Sequence, residues 1–390
     1  MISVEEALDQ LFALARPVET ELCPLTEASG RVLARRVAAK LTQPPFAASS
    51  MDGYALNSVE ADLHAQFVVI GEAAAGHGFS GRVGAGQAVR IFTGAPVPEG
   101  ANCVVIQEEV ERRGKLITLL TDDTSKPNIR PAGQDFALGD EMSAPRLLTP
   151  SDIALAASMN HAELPVYKRP VVALVSTGDE LVQPGETPAE GQIIASNTYG
   201  LKALLEAHGA EARILPIARD TRSSLETVFA LCDGADLIVT IGGASVGDHD
   251  IVADVAARLG LNQSFYKVAM RPGKPLMAGQ MGDAVMIGLP GNPVSAMVCG
   301  HVFLLPVLRA MTGLGAAPAE RFTAELSEPL PANGPREHYM RACVTKGQLR
   351  AETRQDSALL SVLASANALL IRPPHDGARE VGESVSYIRL

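Results

Sequence analysis

The sequence predicts a multidomain protein built on a central doubly wound, parallel α/β domain, with an N-terminal half of helical and β-rich parts and a small C-terminal β domain. Three observations carry this. Between residues 171 and 297, continuous apolar runs alternate with helical patterns, as strands buried on both faces of a parallel sheet require. Each run ends in Gly, Ser, Asp or Pro: VVALVST (171–177) in Gly178-Asp179-Glu180, DLIVTIGG (236–243) in the stretch to Asp248, YKVAM (266–270) in Arg271 to Pro275, and AVMIGLP (284–290) in Gly291 to Ser295. Ligands of such sheets bind beyond the carboxyl ends of the strands, so the four loops read as one site. Finally, 390 residues exceed what one core supports.

From the N-terminus, Ser3-Val-Glu-Glu6 is a capping box that opens an amphipathic helix to about Ala15, stopped by Pro17. A second helical pattern covers roughly Leu25–Val37. FAASSMDGYAL (46–56) places Asp52-Gly53 before an apolar strand, which on spacing alone is a hairpin turn. Residues 66–120 read as short strands punctuated by Gly and Pro, a small barrel or sandwich. TPSDIALAASMN (149–160) is a small-residue helix with Ser151 as a cap.

In the core, the expected elements are strand 171–177, a helix from Ser196-Asn197 to His208-Gly209, and strand 211–218. A helix capped by Thr221 runs through Leu231, followed by strand 236–241 and helix 250–259. Strands 266–270 and 284–289 precede a last helix from Pro293 toward Arg309. Crossovers are expected to be right-handed. Runs such as RACVTK and ANALLIRP beyond a Gly/Ala/Pro linker at 313–319 predict the C-terminal β domain. The resulting divisions are 1–45 with 141–168, 46–140, 169–315 and 316–390.

Composition narrows the class. A net charge of −11 argues against a general nucleic-acid or anionic-membrane binder. No apolar run reaches the length of a membrane span, and acids stand where a signal peptide needs basic residues, so a cytoplasmic location is expected. Five scattered cysteines, with no C-x-x-C, read as reduced interior thiols. The eight histidines show no zinc-ligand spacing.

The chemistry lies in the loops. GGASVG (242–247) presents backbone N–H groups with the Ser245 hydroxyl, as an anion nest requires, although such a loop is also compatible with a tight turn. A helix from Asp250 would add its N-terminal dipole. Lys267, Arg271 and Lys274 fall within eight residues that contain no acid, held by Pro272 and Gly273. Asp179, Glu180, Asp220, Asp248 and Asp250 each follow a strand end. Cations and glycine amides suit phosphate or another oxyanion, and carboxylates suit Mg²⁺ bridging it. Each acid alone could equally be a helix cap or a solvated charge.

The combination matches a family. STGDEL (176–181), GGASVGDHD (242–250), MRPGKP (270–275) and GLPGNPVSA (288–296) resemble the molybdopterin-binding domain of molybdenum cofactor biosynthesis proteins. SSMDGYA (49–55), IFTGAPVPEGAN (91–102) and IRPAGQDF (129–136) resemble the N-terminal half found in the MoeA/gephyrin E-domain group, the molybdopterin molybdenumtransferases. The resemblance covers nearly the whole chain.

It implies a transferase that inserts molybdenum from molybdate into adenylylated molybdopterin, releasing AMP with Mg²⁺. It also implies a homodimer whose site combines the α/β domain of one subunit with the Asp52/Thr93 region of the other. On that basis Asp52, Thr93, Asp135, Glu180, Asp220, Asp250, Lys267 and Arg271 are catalytic candidates, with Glu180, Asp220 and Asp250 on the metal. Ser176, Thr177, Gly178, Asp179, Ser196, Asn197, Gly242, Gly243, Ser245, Gly247, Asp248, Pro272, Gly273, Lys274, Pro290, Gly291, Asn292, Pro293 and Ser295 would bind the pterin and phosphate.

Two positions depart from the pattern. Arg271 stands where many relatives carry Lys, and Ala195 where Asp is common; together they leave tungstate preference open. Two neighbouring readings are a molybdopterin adenylyltransferase, which usually lacks the flanking domains, and a non-catalytic scaffold. Contacts with an adenylyltransferase and downstream cofactor carriers are left open. No nucleic-acid or membrane partner is expected.

Overall fold

The computed structural model describes residues 1–243 and 251–390. The capping box forms: Glu6 N donates to Ser3 Oγ at 3.0 Å, and Ser3 N donates to Glu6 Oε2 at 2.7 Å. The helix it opens, Val4–Leu14, buries Val4, Ala7, Leu8 and Leu11 in the core of the α/β sheet.

The helical pattern at 25–37 does not become a helix. Leu25–Glu27 is one 3₁₀ turn, and Val32–Leu33 and Val37–Ala38 are short strands. Their partners, Arg146–Leu147 and Glu141–Met142, lie over a hundred residues downstream. Pairing and a shared core with Leu148, Leu164 and Val166 override the local period. The helix Pro150–Ser158 is capped by Thr149 rather than Ser151, because Pro150 takes the first helical position.

The β-rich module is a six-stranded sheet in the order Cys103–Ile106, Gly53–Leu56, Gln87–Ile91, Gln66–Ala73, Leu116–Leu119, Val110–Arg113. Asp52-Gly53 is not a hairpin turn: Ala48–Ser49 pairs with Ile129–Arg130, while Gly53–Leu56 pairs with Gln87–Ile91 and Cys103–Ile106.

The central sheet runs Glu211–Ile214, Val171–Ser176, Leu237–Ile241, Ala284–Leu289, Pro275–Met281, Leu261–Lys267. Its first four strands are parallel. The last two are antiparallel to their neighbours, which differs from an all-parallel sheet. Pro275–Met281 gave no sequence signal because Pro, Gly and Met dilute its β pattern. Two successive reversals nevertheless bring the end of Leu261–Lys267 to the same sheet edge as the parallel strands.

The helical stretch Pro293–Met311 has the length and composition of a membrane span, but 72% of its apolar window is buried inside the protein. It is the core helix, with a π-helical segment at Gly300–Leu304.

In the C-terminal part, Phe322–Leu326, Glu337–Thr345, Gln348–Ala351, Ala368–Arg372 and Ser384–Arg389 pair in a closed ring. Met270–Arg271 adds to this barrel by pairing with Glu337 and His338, a backbone link between barrel and central sheet.

Candidate active site

A cleft of about 610 Å³ opens at the carboxyl ends of Val171–Ser176, Leu237–Ile241 and Ala284–Leu289. Of the sequence-predicted residues, Ser176, Thr177, Gly178, Glu180, Ser196, Asn197, Asp220, Gly242, Gly243, Pro290, Gly291, Asn292 and Pro293 line it. A larger groove, of about 1000 Å³, crosses the C-terminal barrel beside Lys346 and Arg350 and contains none of the predicted residues. Chemistry rather than size selects the cleft.

The glycines of the cleft are there for space and backbone conformation. Gly178 has φ +145°, and a Cβ there would stand 2.4 Å from Glu180 Oε2, so the carboxylate folds back over the glycine. Gly243 has φ +68°, with Val252 Cγ2 at 2.2 Å from its hypothetical Cβ. Thr177, 2% exposed, has its Oγ1 buried without a hydrogen-bond partner among the described residues.

Two helix N-termini face this space. The helix Asn197–Ala207 starts without a side-chain cap at Ser196, and the core helix starts without one at Asn292. Both leave backbone donors that favour an anion. The amide of Asn197 locks the two starts together by donating from Nδ2 to Gly291 O at 2.7 Å. Ser295 lies one turn inside the core helix and is buried.

The acids gather at the opposite lip. Asp220 N donates to Asp179 Oδ1 at 3.2 Å, and Arg219 Nη1 donates to Asp179 O at 2.9 Å. Partial withdrawal from water, then the charges of Asp179 and Glu180, hold the Asp220 carboxyl above the usual aspartate range. Among the described residues, no three His, Cys, Asp or Glu side chains converge on one metal position. Ser245, Gly247, Asp248 and Asp250 lie outside the described residues.

The basic loop is displaced from the cleft. Only its last residue, Pro275, reaches the lining; Lys267, Arg271, Pro272, Gly273 and Lys274 do not. Lys267 Nζ sits 5.3 Å from the Tyr266 ring centroid. Arg271 is exposed at the barrel junction beside His338, whose imidazole is pushed down to about 4 by burial and then by the Arg271 charge. Gly273 packs against the Cys299 thiol.

Asp52, Thr93 and Asp135 also lie outside the cleft lining. Asp52 Oδ1 accepts from Thr93 N and from Thr93 Oγ1, each at 2.8 Å, which lowers its pKa. Asp135 borders a separate hollow of about 500 Å³ with Arg130 and Phe46.

The C-terminal barrel contributes residues that sequence reasoning missed. Ala358 lines the cleft. Ser357 O accepts from Val294 N at 3.0 Å, and its Oγ accepts from Asn292 Nδ2 at 3.1 Å. Arg341, fully buried, donates from Nη2 to Asp356 O at 3.0 Å, and its Nε and Nη1 have no hydrogen-bond partner among the described residues. An arginine inside the strand-like run RACVTK was the one signal in the sequence that could have marked it.

The comparisons with known proteins agree with this arrangement. Residues 2–160 match the MoeA N-terminal region (domain I and II), 173–310 a probable molybdopterin binding domain, and 323–390 the MoeA C-terminal region (domain IV). A molybdopterin molybdenumtransferase of Nostoc sp. (strain PCC 7120) is 34% identical, over 100% of this chain and 94% of the relative. That of Haemophilus influenzae is 32% identical, over 99% and 98%. The crystal structure of the molybdopterin biosynthesis MoeA protein of Pyrococcus horikoshii OT3 superposes with a TM-score of 0.87 at 26% identity, covering 100% of both chains. The chain belongs to the MoeA family of molybdopterin molybdenumtransferases.

Proposed function

We propose that this protein inserts molybdenum from molybdate into adenylylated molybdopterin, with Mg²⁺-dependent release of AMP. The observation that carries the proposal is the meeting, in one cleft, of two uncapped helix N-termini, the glycine loops and the Glu180/Asp220 carboxylates. The amides suit the pterin phosphate and the adenylyl phosphate.

The carboxylates supply hard oxygen donors whose mutual repulsion a divalent cation relieves. Mg²⁺ fits such a set, since it takes one or two carboxylates together with phosphate oxygens and water rather than an all-protein cage. When bound, it would polarise the phosphoanhydride. Glu180 and Asp220, with Asp250, would hold it, and Lys267 with Arg271 would hold oxyanions through charge-assisted hydrogen bonds. Molybdate displaces AMP without a covalent enzyme nucleophile, so catalysis is electrostatic.

The proposal includes a homodimer with a composite site. Asp52, Thr93 and Asp135 do not line the cleft of their own chain, which supports their delivery by a second copy. A cytoplasmic location, an adenylyltransferase that supplies the substrate and carriers that take the product belong to the same reading.

The test is a defined assay with purified protein, adenylylated molybdopterin, Mg²⁺ and molybdate, following AMP. Release that requires molybdate and is lost in Asp220→Ala is expected. Tight pterin binding without turnover would establish a carrier or scaffold instead.

A further inference from the structure

One wall of the cleft is hydrocarbon. Leu181, Ile193, Ile194 and Ala195 all line it. Ile193 is 58% exposed, although it sits among backbone amides and carboxylates rather than in a core. A lone exposed isoleucine on an outer surface is ordinary; one lining a binding cleft is open to a ligand.

The backbone decides which of these side chains act together. Leu181–Val182 and Ile193–Ile194 are short strands paired in parallel, with Leu181 opposite Ile193 and Val182 opposite Ile194. Paired residues share a face and alternate residues return to it, so Leu181, Ile193 and Ala195 lie on one face. Ile194 belongs with Val182 on the other, and Val182 is buried and does not line the cleft.

This face is firmly held. Ile193 N donates to Glu180 O at 2.8 Å, and Ala195 N donates to Val182 O at 2.9 Å. The connecting residues 183–192 carry their own bonds, from Gln183 N to Glu186 Oε2 at 2.9 Å and from Ala189 N to Gln192 Oε1 at 3.0 Å. Tyr199 Oη donates to Gln183 Oε1 at 3.1 Å and ties them to the helix Asn197–Ala207. The bonded frame keeps Ile193 out of the core.

Position indicates the occupant. The face begins one residue after Glu180 and ends one residue before Ser196, where the uncapped helix opens. A group resting on it lies between the carboxylate that suits a cation and the amides that suit a phosphate. Its three side chains offer only carbon, which suits the flat face of a ring joined to that phosphate.

We propose that Leu181, Ile193 and Ala195 form a stacking platform for one planar heterocycle of the substrate, with Ile193 covering the ring. The inference rests on the transferase reading, whose substrate carries two such rings, adenine and pterin. They share the chemistry, and the experiment separates them.

Calorimetric binding to the full chain in Mg²⁺ is measured with AMP and, under anaerobic conditions, with molybdopterin. Ile193→Ala trims an exposed side chain to its Cβ, so the melting temperature should not change. It should weaken one of the two probes about tenfold, the loss expected for removing apolar contact, and leave the other within about twofold. A loss for AMP seats the adenine on the platform, and a loss for molybdopterin seats the pterin. Ile193→Leu, with the same number of carbons, should keep the native affinity for that probe.

Unchanged affinity for both probes, or an equal loss for both, would overturn the platform. Failure of the unaltered protein to bind either probe would instead overturn the transferase reading, and the platform with it.

Discussion

The side-chain amide of Asn197 donates to the carbonyl oxygen of Gly291 at 2.7 Å, tying the first residue of one helix to the loop that opens another. The residues are 94 apart in sequence, yet the bond sets the spacing of the two N-termini that face the cleft. Asn197→Ala is expected to lower stability by about 1 kcal/mol, the ordinary worth of one hydrogen bond. Pterin affinity should fall with it, because both amide cradles shift. Thermal denaturation and equilibrium pterin binding on the same preparation check this; a stability loss with unchanged affinity would remove the cleft from the account.

Asp220 gives a pH signature. Its folded-state pKa is raised above the ordinary 3.8, so the folded chain binds the proton more tightly than the unfolded one. Stability therefore falls as pH rises from the ordinary aspartate range through the raised folded value. Asp220→Asn should remove that decline and leave the metal-free protein slightly more stable at neutral pH, by well under about 1 kcal/mol, since the group keeps a face to water. Mg²⁺ should raise Tm in the unaltered protein and not in the variant. Denaturation scans with and without Mg²⁺ across pH read both effects.

A composite site predicts complementation. Asp52→Ala removes the acceptor of both Thr93 bonds, and Glu180→Ala removes an acid from the cleft. Each variant alone should be inactive as a folded dimer. Mixed after dissociation and reassociation, they should recover roughly a quarter of the native activity, because half the dimers are mixed and each has one intact site. No recovery from mixed dimers verified by mass would place both residues in one subunit's site.

Arg341 should act as a strut between the barrel and residues 352–358. Its Nη2 donates to Asp356 O and Arg354 O, and removing the guanidinium leaves those acceptors unpaired, at a cost of about 1–3 kcal/mol. Arg341→Met is therefore expected to lower the stability read by chemical denaturation by that amount. An unchanged denaturation midpoint would show that the carbonyls do not depend on the arginine.

Much of this was legible locally. The caps at Ser3 and Thr221, the helix start at Asn197, the parallel strands 171–176, 237–241 and 284–289 and the acids at their ends all follow from residue type and period. The cleft lining at Ser176, Thr177, Gly178 and Glu180 and from Pro290 to Pro293 was visible for the same reason: loops at the carboxyl ends of parallel strands must meet. The reading failed where pairing is distant. Val32–Leu33 became strands because Arg146–Leu147 and Val166 lie beside them. The basic loop, read as a wall of the cleft, is turned toward the barrel because Met270–Arg271 pairs with Glu337–His338.

The sequence by itself determined the alternation of elements, the chemical character of the loops and the sheet edge at which they gather. Those depend on side-chain period, capping and glycine conformation, which act over a few residues. Only the tertiary structure decided that a five-stranded barrel closes at the C-terminus, that Gln355 bonds both backbone groups of Arg341, and that Ala358 comes to line the cleft beside the core helix. These are pairings between segments tens of residues apart, selected by burial and backbone hydrogen bonding summed over the whole fold, and no local pattern encodes them.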